Sequence, residues 1–182
     1  MIKISIASLV VEIENKYEYI KTQSREYITN AAADFTVRAD EEDFEREEQN
    51  CGSEARFSRD YLESIIIYRK IAEELPKYNA FVFHGAAMYD GRGAYVLTAP
   101  SGTGKTTHMR LWLDLYPDVS VLNGDKPIIR LEGGVPYVYG TPWQGKENYG
   151  KNAKAELLAI AFLSRGSWFL QAPLGSQAYT PA

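Results

Sequence analysis

Ala99-Pro100-Ser101-Gly102-Thr103-Gly104-Lys105-Thr106 is the stretch that decides how this chain is read. It fits the phosphate-binding loop, with Ala99 in place of the usual first glycine. Gly102 and Gly104 let the backbone bend so that successive N–H groups converge on an anion. Lys105 brings a positive charge to the β- and γ-phosphates of a nucleotide. Thr106 brings a hydroxyl for Mg²⁺ and opens a helix whose N-terminus favours negative charge. The candidate nucleotide-binding residues are therefore Ala99, Ser101, Gly102, Thr103, Gly104, Lys105, Thr106 and Thr107. The setting agrees. Ala94-Tyr95-Val96-Leu97-Thr98 reads as a buried strand before the loop. Met109, Leu111, Trp112 and Leu115 follow it at helical spacing, up to Pro117-Asp118. A glycine-rich turn that binds nothing is the bland alternative, and the strand–loop–helix order speaks against it.

Outward from the loop, Val119–Leu122 reads as a strand ending in Asn123-Gly124-Asp125. Asp125 thus sits where a phosphate-loop nucleotidase holds its magnesium. Ligands in such sheets collect at the carboxyl ends of strands. Asn-Gly-Asp is also ordinary turn chemistry. Ala80–Phe83 reads as a strand ending at His84-Gly85, and Ala87-Met88-Tyr89 leads from there into the turn Asp90–Gly93. His84 could tune a nearby carboxylate, contact a phosphate, or be structural. His108, one turn into the helix, reads as structural. In the loop Gly140–Lys151, Lys146 and Lys151 are candidate phosphate-neutralising charges. Trp143 could stack on a base or shield the site from water. The alternative is a surface loop with solvated lysines. Ile128–Leu131 and Val135–Tyr139 flank Gly133-Gly134 as a hairpin, and Leu157–Leu163 is a further apolar strand.

Residues 1–39 read as β-rich, with Ile2, Ile4 and Ile6, and later Phe35, Val37 and Ala39, in alternation. Tyr17–Ile28 is ambiguous between strand and helix. The acidic run Asp40–Glu48 reads as a solvated helix face or loop. Tyr61, Leu62, Ile65, Tyr68, Ile71, Ala72 and Leu75 mark a core helix ending near Pro76, with nothing catalytic in it. The expected organisation is a β-rich and helical segment 1–79 packed on a nucleotide-binding core 80–166. An atypical tail 167–182 follows, reading as a truncated or frame-shifted end or as a short native tail packed on the sheet.

The 182 residues carry 20 Lys and Arg against 24 Asp and Glu, a net charge of −4. That balance disfavours a nucleic-acid-coating role, because phosphate neutralisation needs excess base. One cysteine and two histidines leave no internal disulfide and no Cys/His zinc site. No apolar run has membrane-spanning length. The start Met1–Ile6 lacks the pattern of a signal peptide, so the expected location is the cytoplasm.

Phe83-His84-Gly85, the loop Ala99–Thr107, Asn123-Gly124-Asp125-Lys126-Pro127 and Gly140-Thr141-Pro142-Trp143-Gln144-Gly145-Lys146 together resemble the HPr kinase/phosphoenolpyruvate carboxykinase group of phosphate-loop proteins. Within it, the chain is similar to small bacterial carboxykinase-like or HPr-kinase-like proteins of unassigned substrate. The resemblance runs from about residue 30 to about residue 165. It implies an α/β fold with a P-loop kinase core of the HPr kinase/carboxykinase type and a β-rich N-terminal extension. It also implies Mg-ATP as phosphoryl donor, with ATP and Mg²⁺ as cofactors. The implied catalytic residues are Asp125, His84 and Lys105. The implied metal holders are Thr106 and Asp125, and Lys146 joins the nucleotide set.

That family pattern has two adjacent aspartates where this chain has Gly124-Asp125. The difference predicts slow turnover, restored by Gly124→Asp. The leading expectation is a kinase acting on a small-molecule or protein hydroxyl. A non-catalytic nucleotide-binding accessory module is the second, and carboxykinase (ATP)-like chemistry on a C3/C4 acid, for which no arginine pair is evident, the third. Neither nucleic acid nor membrane is an expected partner, and a homo-oligomer is.

Overall fold

The computed structural model describes residues 1–50 and 57–164; the expected tail 167–182 lies outside them. The chain is a mixed α/β protein with two sheets. β1 (Ile2–Ile6) and β2 (Leu9–Glu14) form an antiparallel hairpin, and β3 (Phe35–Arg38) joins β2 in parallel. The alternation of Ile2, Ile4 and Ile6 puts all three on the buried face, as strand periodicity requires. The hairpin turns on Ala7 and Ser8, whose φ values are +51° and +56°. A two-residue primed turn needs that geometry, which non-glycine residues adopt at a cost. Here Arg130 holds it, donating to the carbonyls of Ala7 at 2.6 Å and Ser8 at 3.2 Å.

The ambiguous Tyr17–Ile28 stretch is helical: α1 (Tyr19–Gln23) and a 3₁₀ turn over Arg25–Tyr27. The acidic run forms α2 (Glu41–Asn50), solvated except at Phe44 and Glu47. α3 (Arg59–Glu74) follows and ends in a 3₁₀ turn containing Pro76. Ile67 and Ile71 of α3 share one core cluster with β1 and β2, and with Ile128, Tyr139 and Trp143 from the far half of the chain. Burying each such aliphatic side chain contributes roughly 1.5–3 kcal/mol. The N-terminal segment is therefore packed onto the rest by a continuous core. Glu63 of α3 is fully buried, and its carboxylate accepts the backbone N–H groups of Lys16 at 2.6 Å and Tyr17 at 3.1 Å. Those bonds replace the lost hydration of the charge and fix the chain as it enters α1.

The second sheet has seven strands: β4 (Ala80–Val82), β5 (Ala86–Tyr89), β6 (Ala94–Thr98), β7 (Ser120–Asn123), β8 (Ile128–Glu132), β9 (Val135–Tyr139) and β10 (Lys154–Phe162). Their order is β4-β8-β9-β10-β6-β5-β7. β10 runs parallel to β6, whereas β5 is antiparallel to both β6 and β7. Residues 86–89, read from sequence as a lead-in to a turn, are thus a strand lying between β6 and β7. β6 and β7 still point the same way, so their carboxyl ends share one edge. The amino end of β5 lies at that edge too. α4 (Lys105–Leu115) covers β5 and β6 through Met109, which is packed with Ala86, Met88, Leu97 and Val121. No helix among the described residues is long and apolar enough to cross a membrane.

Candidate functional site

Three chain segments meet at the shared sheet edge because of the antiparallel β5. His84 and Gly85 enter β5 there, the glycine-rich loop leaves β6 there, and Asn123-Gly124-Asp125 leaves β7 there. Backbone bonds fasten them together. Gly85 N–H donates to the Asp125 carbonyl at 3.0 Å, and Phe83 N–H to the Pro127 carbonyl at 2.8 Å. The Thr98 hydroxyl donates to the His84 carbonyl at 2.9 Å.

The loop itself has the geometry its glycines allow. Gly102 and Gly104 adopt φ of +75° and +114°, which a side chain would disfavour. Gly104 caps α4 with no side-chain hydrogen bond at the helix start. The first turn of α4 therefore presents backbone donors that no capping side chain occupies. Lys105 Nζ folds back to donate to the Ala99 carbonyl at 2.7 Å. Ala99, Thr103 and Thr106 are half-buried, while Ser101 and Thr107 are exposed. His108 is exposed, and its N–H closes the first helical turn on the Gly104 carbonyl at 2.9 Å.

Asp125 is held by its neighbour Asn123. The Asn123 side chain is fully buried; its Oδ1 accepts the N–H groups of Asp125 at 2.8 Å and Lys126 at 2.7 Å. Its Nδ2 donates to Thr141 Oγ1 at 2.9 Å, the Thr141 carbonyl at 3.2 Å and the Trp143 carbonyl at 3.3 Å. One amide thus ties the Asp125 turn to the 140–143 segment with all its hydrogen-bonding capacity used. Asn123 was read only as a turn residue. An amide two residues before the carboxylate was the available signal.

His84 Nε2 lies 3.3 Å from Asp125 Oδ1. Burial, followed by the charges of Lys126 and Lys105, pushes the His84 pKa below its ordinary 6.5; Asp125 opposes this only in part. His84 is therefore neutral at pH 7. We expect its NMR titration midpoint to fall below 6.5, and Lys126→Ala to raise it by removing a repelling charge. A midpoint above 6.5 would show that Asp125 dominates instead. By linkage, the unfolded chain takes up this proton first. The His84 contribution to stability is thus complete above pH 6.5 and is lost as pH falls through the lower folded value.

The structure corrects the reading of the 140–151 loop. Residues 140–143 are buried, and Trp143 is only 6% exposed. Its indole N–H reaches Ser64 Oγ at 3.0 Å and the Ser64 carbonyl at 3.2 Å, and its ring lies 5.3 Å from that of Tyr68. Trp143 is thus a largely buried wall residue anchored to α3, with little of its surface exposed to stack on a base. Lys146 and Lys151 are both exposed, and Lys146 borders a cleft of about 730 Å³. Asp125 and Lys126 also line this cleft. Its other walls come from α1, the 3₁₀ turn and α3, through Tyr19, Arg25, Tyr27 and Tyr68 among others. Tyr68 is pushed up to about 12 by burial and then by the Asp125 charge, so it is a protonated phenol. None of these N-terminal residues was read as a site residue: Tyr68 read as helix core, and Tyr19, Arg25 and Tyr27 fell in the stretch left ambiguous between strand and helix.

Gly124 has a steric reason. A Cβ on it would lie 2.8 Å from the backbone oxygen of Gln144. A side chain at this position would run into main chain, that of Gln144 first and of Tyr149 next. Among the described residues no cluster of three or more His, Cys, Asp or Glu side chains is placed to hold a metal ion. A site made of one carboxylate, one hydroxyl and nucleotide phosphates does not need such a cluster. Neither a scan of protein-family models nor a search of curated proteins finds a match to this chain.

Proposed function

We propose that this protein is an ATP-binding phosphate-loop protein of the HPr kinase/carboxykinase type that transfers the γ-phosphate of ATP to a hydroxyl group. The observation that carries the reading is the convergence at one sheet edge of the 99–106 loop, the uncapped start of α4, and the His84–Asp125 pair. The donor set fits Mg²⁺, a hard cation that takes few protein ligands beside phosphate oxygens and water. Thr106 and Asp125 would hold it, and it would neutralise charge on the transferred group. Lys105 exchanges its Ala99 carbonyl for a phosphate oxygen. The acceptor oxygen bonds to the γ-phosphorus as the bond to the β–γ bridging oxygen breaks, ADP carries away that electron pair, and Asp125 takes the acceptor's proton. His84, neutral, donates to Asp125 and keeps the carboxylate aimed.

A second reading is a nucleotide-binding module without turnover. The main chain against Gly124, which leaves Asp125 as the single carboxylate of the pattern, favours it. A carboxylate held on a cation is a weak base, because the cation lowers its proton affinity. Carboxykinase-like chemistry ranks third.

Phosphate release and transfer under saturating Mg-ATP, with and without acceptors, separates the first two. Lys105→Ala tests the basis of both. A charge-assisted contact is worth about 1.5–3 kcal/mol, so its loss should weaken Mg-ATP binding roughly ten- to a hundredfold by calorimetry. Equal affinities would remove the phosphate-loop reading.

A further inference from the structure

We infer that the cleft between the N-terminal helices and the 142–150 loop is the acceptor site, and that it takes a small hydroxyl compound carrying an anionic group. This rests on the phosphoryl-transfer reading and adds to it where the second substrate sits and what chemistry it has.

Position is the first argument. Asp125 has two neighbourhoods. On one side its Oδ1 meets His84, which also feels the charge of Lys105 on the glycine-rich loop. On the other side it lines the cleft. A group bound in the cleft would thus face the loop across a carboxylate able to take its proton. Size is the second argument. A walled space of about 730 Å³ suits a small molecule, which pockets of roughly 300–1,000 Å³ enclose.

Charge and polarity are the third. Arg25, Lys126 and Lys146 stand against Glu26 and Asp125. Lys126 and Lys146 make no salt bridge among the described residues, and Arg25 has only a long contact, 3.9 Å, with Glu26. A cation held by Asp125 would tip the balance further toward positive. Three cationic side chains with little else to pair with fit a carboxylate or phosphate ester on the acceptor. Tyr19, Tyr61 and Tyr68 add aromatic faces to the cleft. The N-terminal segment thereby becomes the substrate-selecting part of the molecule. Glu63, by clamping Lys16 and Tyr17, positions its α1 wall.

The test uses the full chain and two matched probe pairs: glycerate with glycerol, and 4-hydroxyphenylacetate with tyrosol. Binding is read by saturation-transfer NMR and calorimetry, with Mg-ATP titrated separately. At least one anionic probe should bind, and its neutral partner should bind about tenfold or more weakly. Arg25→Ala and Lys126→Met should each weaken the anionic probe about tenfold. Arg25→Ala, an exposed substitution, should leave Mg-ATP affinity unchanged. Equal binding within both pairs, no binding of either anion, or indifference to both substitutions overturns the assignment. Anionic probe binding in a protein that does not bind Mg-ATP would instead overturn the phosphoryl-transfer reading and the acceptor role with it, leaving the cleft as an anion site. A failed probe series with intact Mg-ATP binding rejects the cleft alone.

Discussion

Asp125→Asn is expected to lower phosphoryl transfer by about 10²–10⁴-fold, the usual worth of a placed general base. The substitution keeps the shape of the side chain and its neighbours. Asn123 holds the Asp125 and Lys126 backbone, not the carboxylate, so the turn should survive. The Thr106 hydroxyl and Lys105 remain to hold the nucleotide. Mg-ATP affinity should therefore fall much less than turnover. The two quantities are read by calorimetry and by steady-state transfer to an acceptor. A parallel fall in both would leave Asp125 its metal-holding role and remove its role as base. Unchanged turnover would move the base elsewhere, with the neutral His84 as the next group to replace.

Gly124→Asp is expected to destabilise the protein by about 1–3 kcal/mol or more and to leave turnover no higher. The resemblance read in the sequence implies the opposite, a rate gain from adding a second carboxylate. One distance argues against that expectation: the added Cβ would meet the Gln144 backbone oxygen at 2.8 Å. Main chain yields less readily than the end of a flexible side chain. The segment that would have to move is tied down by Asn123, by Thr141 and by the Trp143–Ser64 hydrogen bonds. Thermal melting measures the first effect and acceptor-dependent transfer the second. A variant that melts like the parent and turns over faster would show that the loop opens freely.

Much of the fold was legible because it is written locally. Ile2, Ile4 and Ile6 alternate, so β1 shows its buried face in the sequence. Leu62, Ile71 and Leu75 belong to the helical pattern read from sequence and are buried, although the buried Ile66 and Ile67 were not in that reading, and Pro76 lacks the N–H to continue the helix. The hairpin of β8 and β9 was marked by Gly133-Gly134, both at positive φ. The strand–turn–helix order around residues 99–106 was legible for the same reason, since Gly102 and Gly104 supply the positive φ values that the turn needs.

What the sequence could not supply is whatever depends on residues far apart in the chain. β5 is four residues long, and nothing in Ala86–Tyr89 says that it parts β6 from β7. That insertion, decided by sheet pairing, is what carries His84 to Asp125. The place of Trp143 was open for a similar reason. An aromatic in a Gly- and Pro-rich loop reads equally as a stacking surface or a shield until α3, some 79 positions away, offers Ser64 to its indole N–H. The cleft beside Asp125 has no sequence signature at all. Tyr27 and Tyr68 on one wall and Lys126 and Lys146 on the other become one surface only when the shared core of α3, β1 and Ile128 closes the N-terminal segment onto the sheet. The sequence by itself marked most of the elements and the glycine-rich turn between β6 and α4. Burial across the whole chain decided which side chains face that loop, because the apolar area that drives closure is shared between segments that no local pattern connects.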